Sequence, residues 1–152
     1  MDVEDIETLG PWTAHIETMD KALAASDAGE SFRAWRRAYS AALSDPGWHG
    51  LLTVARAALR LRARPSLTRE TVARAQETCW IALFRARQQR SLNGALSAAA
   101  VFDILGDRGA FEQSMRVVEA LANRTGEADG PDRVRLFIER LADQTRIAEQ
   151  AP

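Results

Sequence analysis

Apolar residues recur every three or four positions along most of this chain, and no stretch alternates Val, Ile or Thr in the manner of a strand. The first helix follows Gly10-Pro11 and carries Trp12, Ile16, Met19 and Leu23 on one face. Asp27-Ala28-Gly29 ends it. The second runs from about Ser31 to Ser44, with Phe32, Trp35, Ala38, Tyr39, Ala42 and Leu43 inward, and stops at Asp45-Pro46-Gly47. The third runs from Trp48 to about Arg62 on the stripe Trp48, Leu51, Leu52, Ala55, Ala58 and Leu59, and Pro65 closes the connection.

The fourth helix is long, about Leu67 to Gln89. Its broad apolar face of Val72, Cys79, Trp80, Leu83 and Phe84 predicts a central position. Ser91 to Gly94 forms a break, and two further helices follow over about 95–105 and 109–123. A polar linker spans Thr125 to Gly130. A seventh helix starts near Pro131, capped by Asp129, and its stripe Val134, Phe137, Ile138, Leu141 and Thr145 predicts a packed terminal or capping helix.

The pattern predicts an all-α fold of about seven helices. Short connections make consecutive helices antiparallel neighbours, so the expected architecture is an array of helical hairpins. The 152 residues suit one domain able to bury a core without disulfides or metals.

The stretch GESFRAWRRAYSAALSDP, residues 29–46, resembles the second half of a tetratricopeptide repeat, a helix-turn-helix unit of about 34 residues. Gly29 takes the place of the turn glycine, Ala34 and Ala41 the small positions, and Asp45-Pro46 the close of the unit. Ala38 stands where the family carries a large residue, with Trp35 and Tyr39 beside it. A second match starts at Gly109, with Phe111 after the turn, Ser114 at the small position and Val118 at the large one; Gly126 replaces the closing proline. The resemblance implies repeat-like units over 15–48 and 95–128, an irregular stretch over 49–94, and a terminal helix over 131–148 within a single domain, 1–152. It also implies that partners bind in a groove between hairpins.

Charge modifies this picture. Residues 1–30 carry −7, residues 31–95 carry +9 and residues 96–152 carry −3. The acidic start MDVEDIET lacks the basic and apolar segments of a signal peptide, no apolar run reaches membrane-spanning length, and the single Cys79 has no partner for a disulfide. A cytoplasmic location is the expectation.

Candidate chemistry is sparse. His15 and His49 have no His or Cys at ligand spacing, so no metal or cofactor is expected. Cys79 sits on an apolar face beside Trp80 and reads as a buried, inert thiol. Asp103 and Asp107 lie one turn apart and read as solvated charge near a helix end. The four tryptophans fall on apolar stripes, which predicts core packing. The residues therefore point away from an enzyme.

Arg56, Arg60 and Arg64 share one helical face by their spacing of four. In the repeat register Thr53 and Arg60 face the groove, where guanidiniums would suit an acidic partner; a merely solvated face is the other reading. The same register exposes Ile16, Met19 and Leu23, either for a partner or under a covering segment or subunit, unless the register of that helix differs. The expected partner-binding set is thus Met19, Leu23, Thr53, Arg56, Arg60 and Arg64. The leading expectation is a protein-interaction module, an adaptor or dedicated chaperone for a protein or peptide, with a homodimer open and no membrane association. The alternative is a nucleic-acid-associated regulator using the basic centre. An enzyme or small-ligand binder is a third class, and it would need a pocket of converging polar groups.

Overall fold

The computed structural model describes residues 9–124 and 129–150. Its described residues form seven helices and no strand: α1 (Thr13–Ala24), α2 (Ala28–Ser44), α3 (His49–Leu61), α4 (Thr68–Gln88), α5 (Leu92–Leu105), α6 (Arg108–Arg124) and α7 (Gly130–Gln150). No helix among them is long and apolar enough to cross a membrane. Gly126 and most of the linker after α6 lie outside the described residues, as does MDVEDIET.

Three junctions share one device. Ser26, Arg90 and Gly106 adopt the left-handed conformation, with φ of 59°, 54° and 74°. At each, the next amide reaches back to the carbonyl five residues earlier, as from Asp27 to Ala22, Ser91 to Ala86 and Asp107 to Phe102. This is the Schellman closure, which satisfies carbonyls left free at a helix end. The same Asp27, Ser91 and Asp107 then cap the following helix, accepting from the amides of Glu30, Gly94 and Ala110. One residue both closes a helix and opens the next, so the chain turns back within two or three residues.

Gly29 and Gly109, expected in the turns, lie inside the first turns of α2 and α6. The helix begins at the capping aspartate two residues earlier, and the turn itself falls on Ser26 and Gly106.

The α2–α3 connection closes differently. Asp45 is extended, as the residue before a proline prefers, and its carboxylate accepts from the Gly47 amide. The Arg85 guanidinium of α4 reaches over this connection and donates to the carbonyls of Ala42, Leu43, Asp45 and Gly47. It thereby satisfies the free carbonyls at the α2 C-terminus and neutralises its negative pole.

Consecutive helices are each other's main packing partners, and α3 also touches α5, as α4 touches α6. Small residues allow close approach: Ala34, Ala38, Ala55, Ala58, Ala82 and Ala98 are fully buried. Two tryptophans sit on glycines of the helix after next. A Cβ on Gly50 would lie 2.6 Å from the Trp12 ring, and one on Gly94 would lie 2.8 Å from Trp48 and 2.7 Å from Ala86 Cβ. Trp35 is buried between the rings of Phe32 and Tyr39 and donates its indole N–H to the Val54 carbonyl at 2.9 Å.

Two expectations change. Trp80 and Phe84 are not core residues: they are 38% and 60% exposed, while Cys79, Ala82, Leu83 and Ala86 form the buried stripe of α4. The terminal helix packs only through its first half. Val134 is buried and Phe137 and Leu141 half-buried, but Ile138 is 47% exposed and every residue from 142 to 150 is exposed.

A candidate binding groove between two helices

The expected face is brought together by α1 and α3, but as an internal seam. Arg60 grips Asp20 with both arms at 2.9 and 3.1 Å, and Arg64 donates to the Leu23 carbonyl. Thr53 donates to the carbonyl of His49 within its own helix. Met19 has no exposed surface, and Leu23 packs half-buried against the core. The apolar face of α1 therefore points inward through Ile16, Met19 and Ala22, with Thr18, Lys21 and Ala25 outward, which corrects the register and removes the exposed strip. Arg56 alone of the three arginines is exposed without an ion pair among the described residues.

The other candidates find structural positions. Cys79 is buried, its thiol donates to the Ala98 carbonyl at 3.3 Å, and burial pushes its pKa up to about 12, opposed weakly by Arg56. It is protonated at neutral pH and poorly nucleophilic. Asp107 caps α6 and accepts from Gln76, so it is not paired with Asp103. His49 lies against the Trp48 ring, with centroids 3.6 Å apart. Among the described residues no three His, Cys, Asp or Glu side chains gather as metal ligands would.

A concavity lies elsewhere, between α4 and α6. A cavity of about 740 Å³ is walled by Arg87 of α4, by Arg90 in the junction after it, and by Arg116, Val117, Leu121 and Arg124 of α6. A second cavity of about 330 Å³ continues it past Arg87, Arg116 and Val117 to Trp80, Leu83, Phe84 and Gln113. The groove thus has an aromatic end and an arginine end over an apolar floor.

Helical spacing builds it. Trp80, Phe84 and Arg87 recur at i, i+4 and i+7 beside the buried stripe of α4. Gln113, Arg116, Val117, Ala120 and Arg124 recur at i, i+3, i+4, i+7 and i+11 on α6. Trp80 is held edgewise by Phe102 of α5, with ring centroids 4.9 Å apart at 54°. Phe84 has no such cover.

Electrostatically the arginine end is unbalanced. Among the described residues no carboxylate lines either cavity, and none of the four guanidiniums has an ion pair or side-chain hydrogen bond. Arg87, Arg90 and Arg124 stand at helix C-termini, whose two negative poles offset about one unit of charge in total. Roughly three units remain over the groove.

Sequence reasoning missed this site because it assigned the whole apolar face of α4 to the core. The available signal was width: Cys79 and Leu83 already fill an inward stripe, so Trp80 and Phe84, one position further round, fall outside it. No protein-family model, curated protein or solved structure matches this chain.

Proposed function

We propose that this protein is a helical interaction module, an adaptor or dedicated chaperone that receives a segment of another protein in the groove between α4 and α6. The observation that carries the reading is Phe84, 60% exposed in a groove floored by Leu83, Val117 and Leu121. A large exposed aromatic at the edge of a concavity is the anchor that protein segments dock against. The array of short-looped helices, read as tetratricopeptide-like from residues 29–46, supports the same class, with the groove on α4 and α6 instead of α1 and α3.

The test places a photo-crosslinking phenylalanine analogue at position 84 and, as a control, at exposed Ser40. Irradiation in cells is expected to give one discrete protein adduct from position 84 and none from position 40. Identical adduct patterns from both positions, or adducts to nucleic acid alone, would remove the reading. The second reading, a nucleic-acid-associated regulator, draws on the four groove arginines, which have no ion pair among the described residues, and requires oligonucleotide binding that falls steeply with salt.

A further inference from the structure

The function proposed above leaves the chemistry of the partner open, and the groove itself restricts it. We infer that its occupant is an acidic segment of a partner protein with one apolar face, about three helical turns long, whose carboxylates gather at the end formed by Arg87, Arg90, Arg116 and Arg124. The inference rests on the reading of the groove as a protein-binding site.

The arginines of this chain divide by what they touch. Arg33 and Arg37 bind Glu30, Arg60 binds Asp20, Arg64 binds the Leu23 carbonyl, and Arg85 serves the α2–α3 connection. Among the described residues those in the groove touch nothing comparable, which is also true of Arg36, Arg56, Arg62, Arg69, Arg108 and Arg140; what sets the groove apart is that four such arginines line one cavity. Guanidiniums that line one cavity repel one another, less salt screening. Four around one cavity are an arrangement that a ligand carrying carboxylates relieves, and the guanidinium fork matches a carboxylate with two hydrogen bonds. Arg90 holds its place at a left-handed backbone position, where glycine costs least and Gly106 occupies the equivalent place in the next junction.

The other end of the groove asks for apolar groups. Trp80, Leu83, Phe84 and Val117 offer no charge, and Gln113 supplies a neutral donor and acceptor. From Trp80 to Gln88 α4 advances about 12 Å, and from Gln113 to Arg124 α6 advances about 16 Å, at 1.5 Å per residue. That length receives roughly eleven helical residues, with apolar anchors at i, i+3, i+4 and i+7.

A nucleic acid fits less well. A phosphate backbone is charged at every step, but the positive groups here crowd one end and the middle of the groove, and beyond Arg87 and Arg116 the lining is uncharged. The whole chain carries −1, which gives a polyanion little long-range attraction.

The experiment selects a displayed library of random 12-residue peptides on the nuclease-treated full chain at near-physiological salt. A synthetic peptide of the enriched sequence is then titrated by fluorescence anisotropy. The enriched peptides are expected to combine Asp or Glu with Leu, Phe or Trp. Binding is expected to fall at least tenfold with Arg116→Glu and with Arg87→Glu/Arg124→Glu, and to be unchanged by Arg56→Glu on the far seam. Circular dichroism melts confirm that these exposed substitutions leave the fold intact. Peptides that lack acids and ignore Arg116→Glu, but are lost with Phe84→Ser, would overturn the acidic partner and leave the protein-binding groove standing. A 12-nucleotide single strand that binds where no peptide does, or a dimer in sedimentation that Phe84→Ser disperses, would overturn both.

Discussion

Nineteen of the twenty basic residues are arginine, yet their work differs from one position to the next. Arg85 is the most heavily engaged, donating to four carbonyls of the α2–α3 connection. Arg85→Ala leaves those carbonyls partly buried and unsatisfied, and is expected to cost about 2–4 kcal/mol in urea unfolding. Arg85→Lys, which lacks the fork, should recover only part of that loss. Close packing sets the second case. Gly94→Ala gains about 1 kcal/mol of helix propensity but drives its Cβ into Trp48 and Ala86, so net destabilisation of about 1–2 kcal/mol is expected. Cys79 supplies a pH dependence. Its folded pKa is raised above the ordinary thiol value, so its contribution is fully present below about pH 8.5 and is lost as pH rises toward 12. Stability should fall on the alkaline side, by up to about 1.4 kcal/mol per pH unit for this group, and thiol reagents should label the native protein only as fast as it opens. A Cys79 that reacts immediately at pH 7 would contradict its placement.

At the scale of elements, the junctions decide where helices begin. The left-handed positions at Ser26 and Arg90 are strained for residues with a side chain. Ser26→Gly is expected to stabilise the protein by up to about 1 kcal/mol, and Asp27→Ala to cost about 1 kcal/mol through loss of the cap on Glu30, both read from thermal melts. Much of this level was legible in the sequence. The helices over 31–44, 67–89 and 109–123 lie within three residues of α2, α4 and α6, because long periodic runs with polar breaks leave few alternatives. The turn glycines were misplaced because Asp-x-Gly reads equally as a loop and as a capped helix start. The site was the least legible part. That α4 buries Cys79 and Leu83 while offering Trp80 and Phe84 depends on which neighbours arrive on each side, and arginine partners such as Asp20 for Arg60 lie 40 positions away. A one-dimensional pattern shows the face a residue shares; it does not show what meets that face.

Over the whole molecule, packing is local. Each helix leans chiefly on the helices before and after it, and one buried cluster runs from Trp12 through Phe102 to Val134 without one central helix gathering the rest. The exposed distal part of α7 contributes little to this core. A chain ending at residue 141 should therefore keep its melting temperature, while Val134→Ala, which opens a small void near the start of α7, should lower stability by about 1 kcal/mol. A large loss on removing 142–150 would show that this half of α7 is covered in solution.

Packing between sequence neighbours also has a mechanical meaning. In a molecule closed by contacts between its two ends, tension applied at the termini meets the whole core at once. Here the load path runs along the chain, and α7, held through Gly130, Val134 and partial contacts of Phe137 and Leu141, is the weakest link. Under an optical trap the protein should lengthen in steps, α7 detaching at low force and the remaining helices peeling away behind it. The α2–α3 connection, clasped by Arg85, should resist longest among the turns. Such a body behaves less like a nut with a shell than like a zip fastener, opened from α7.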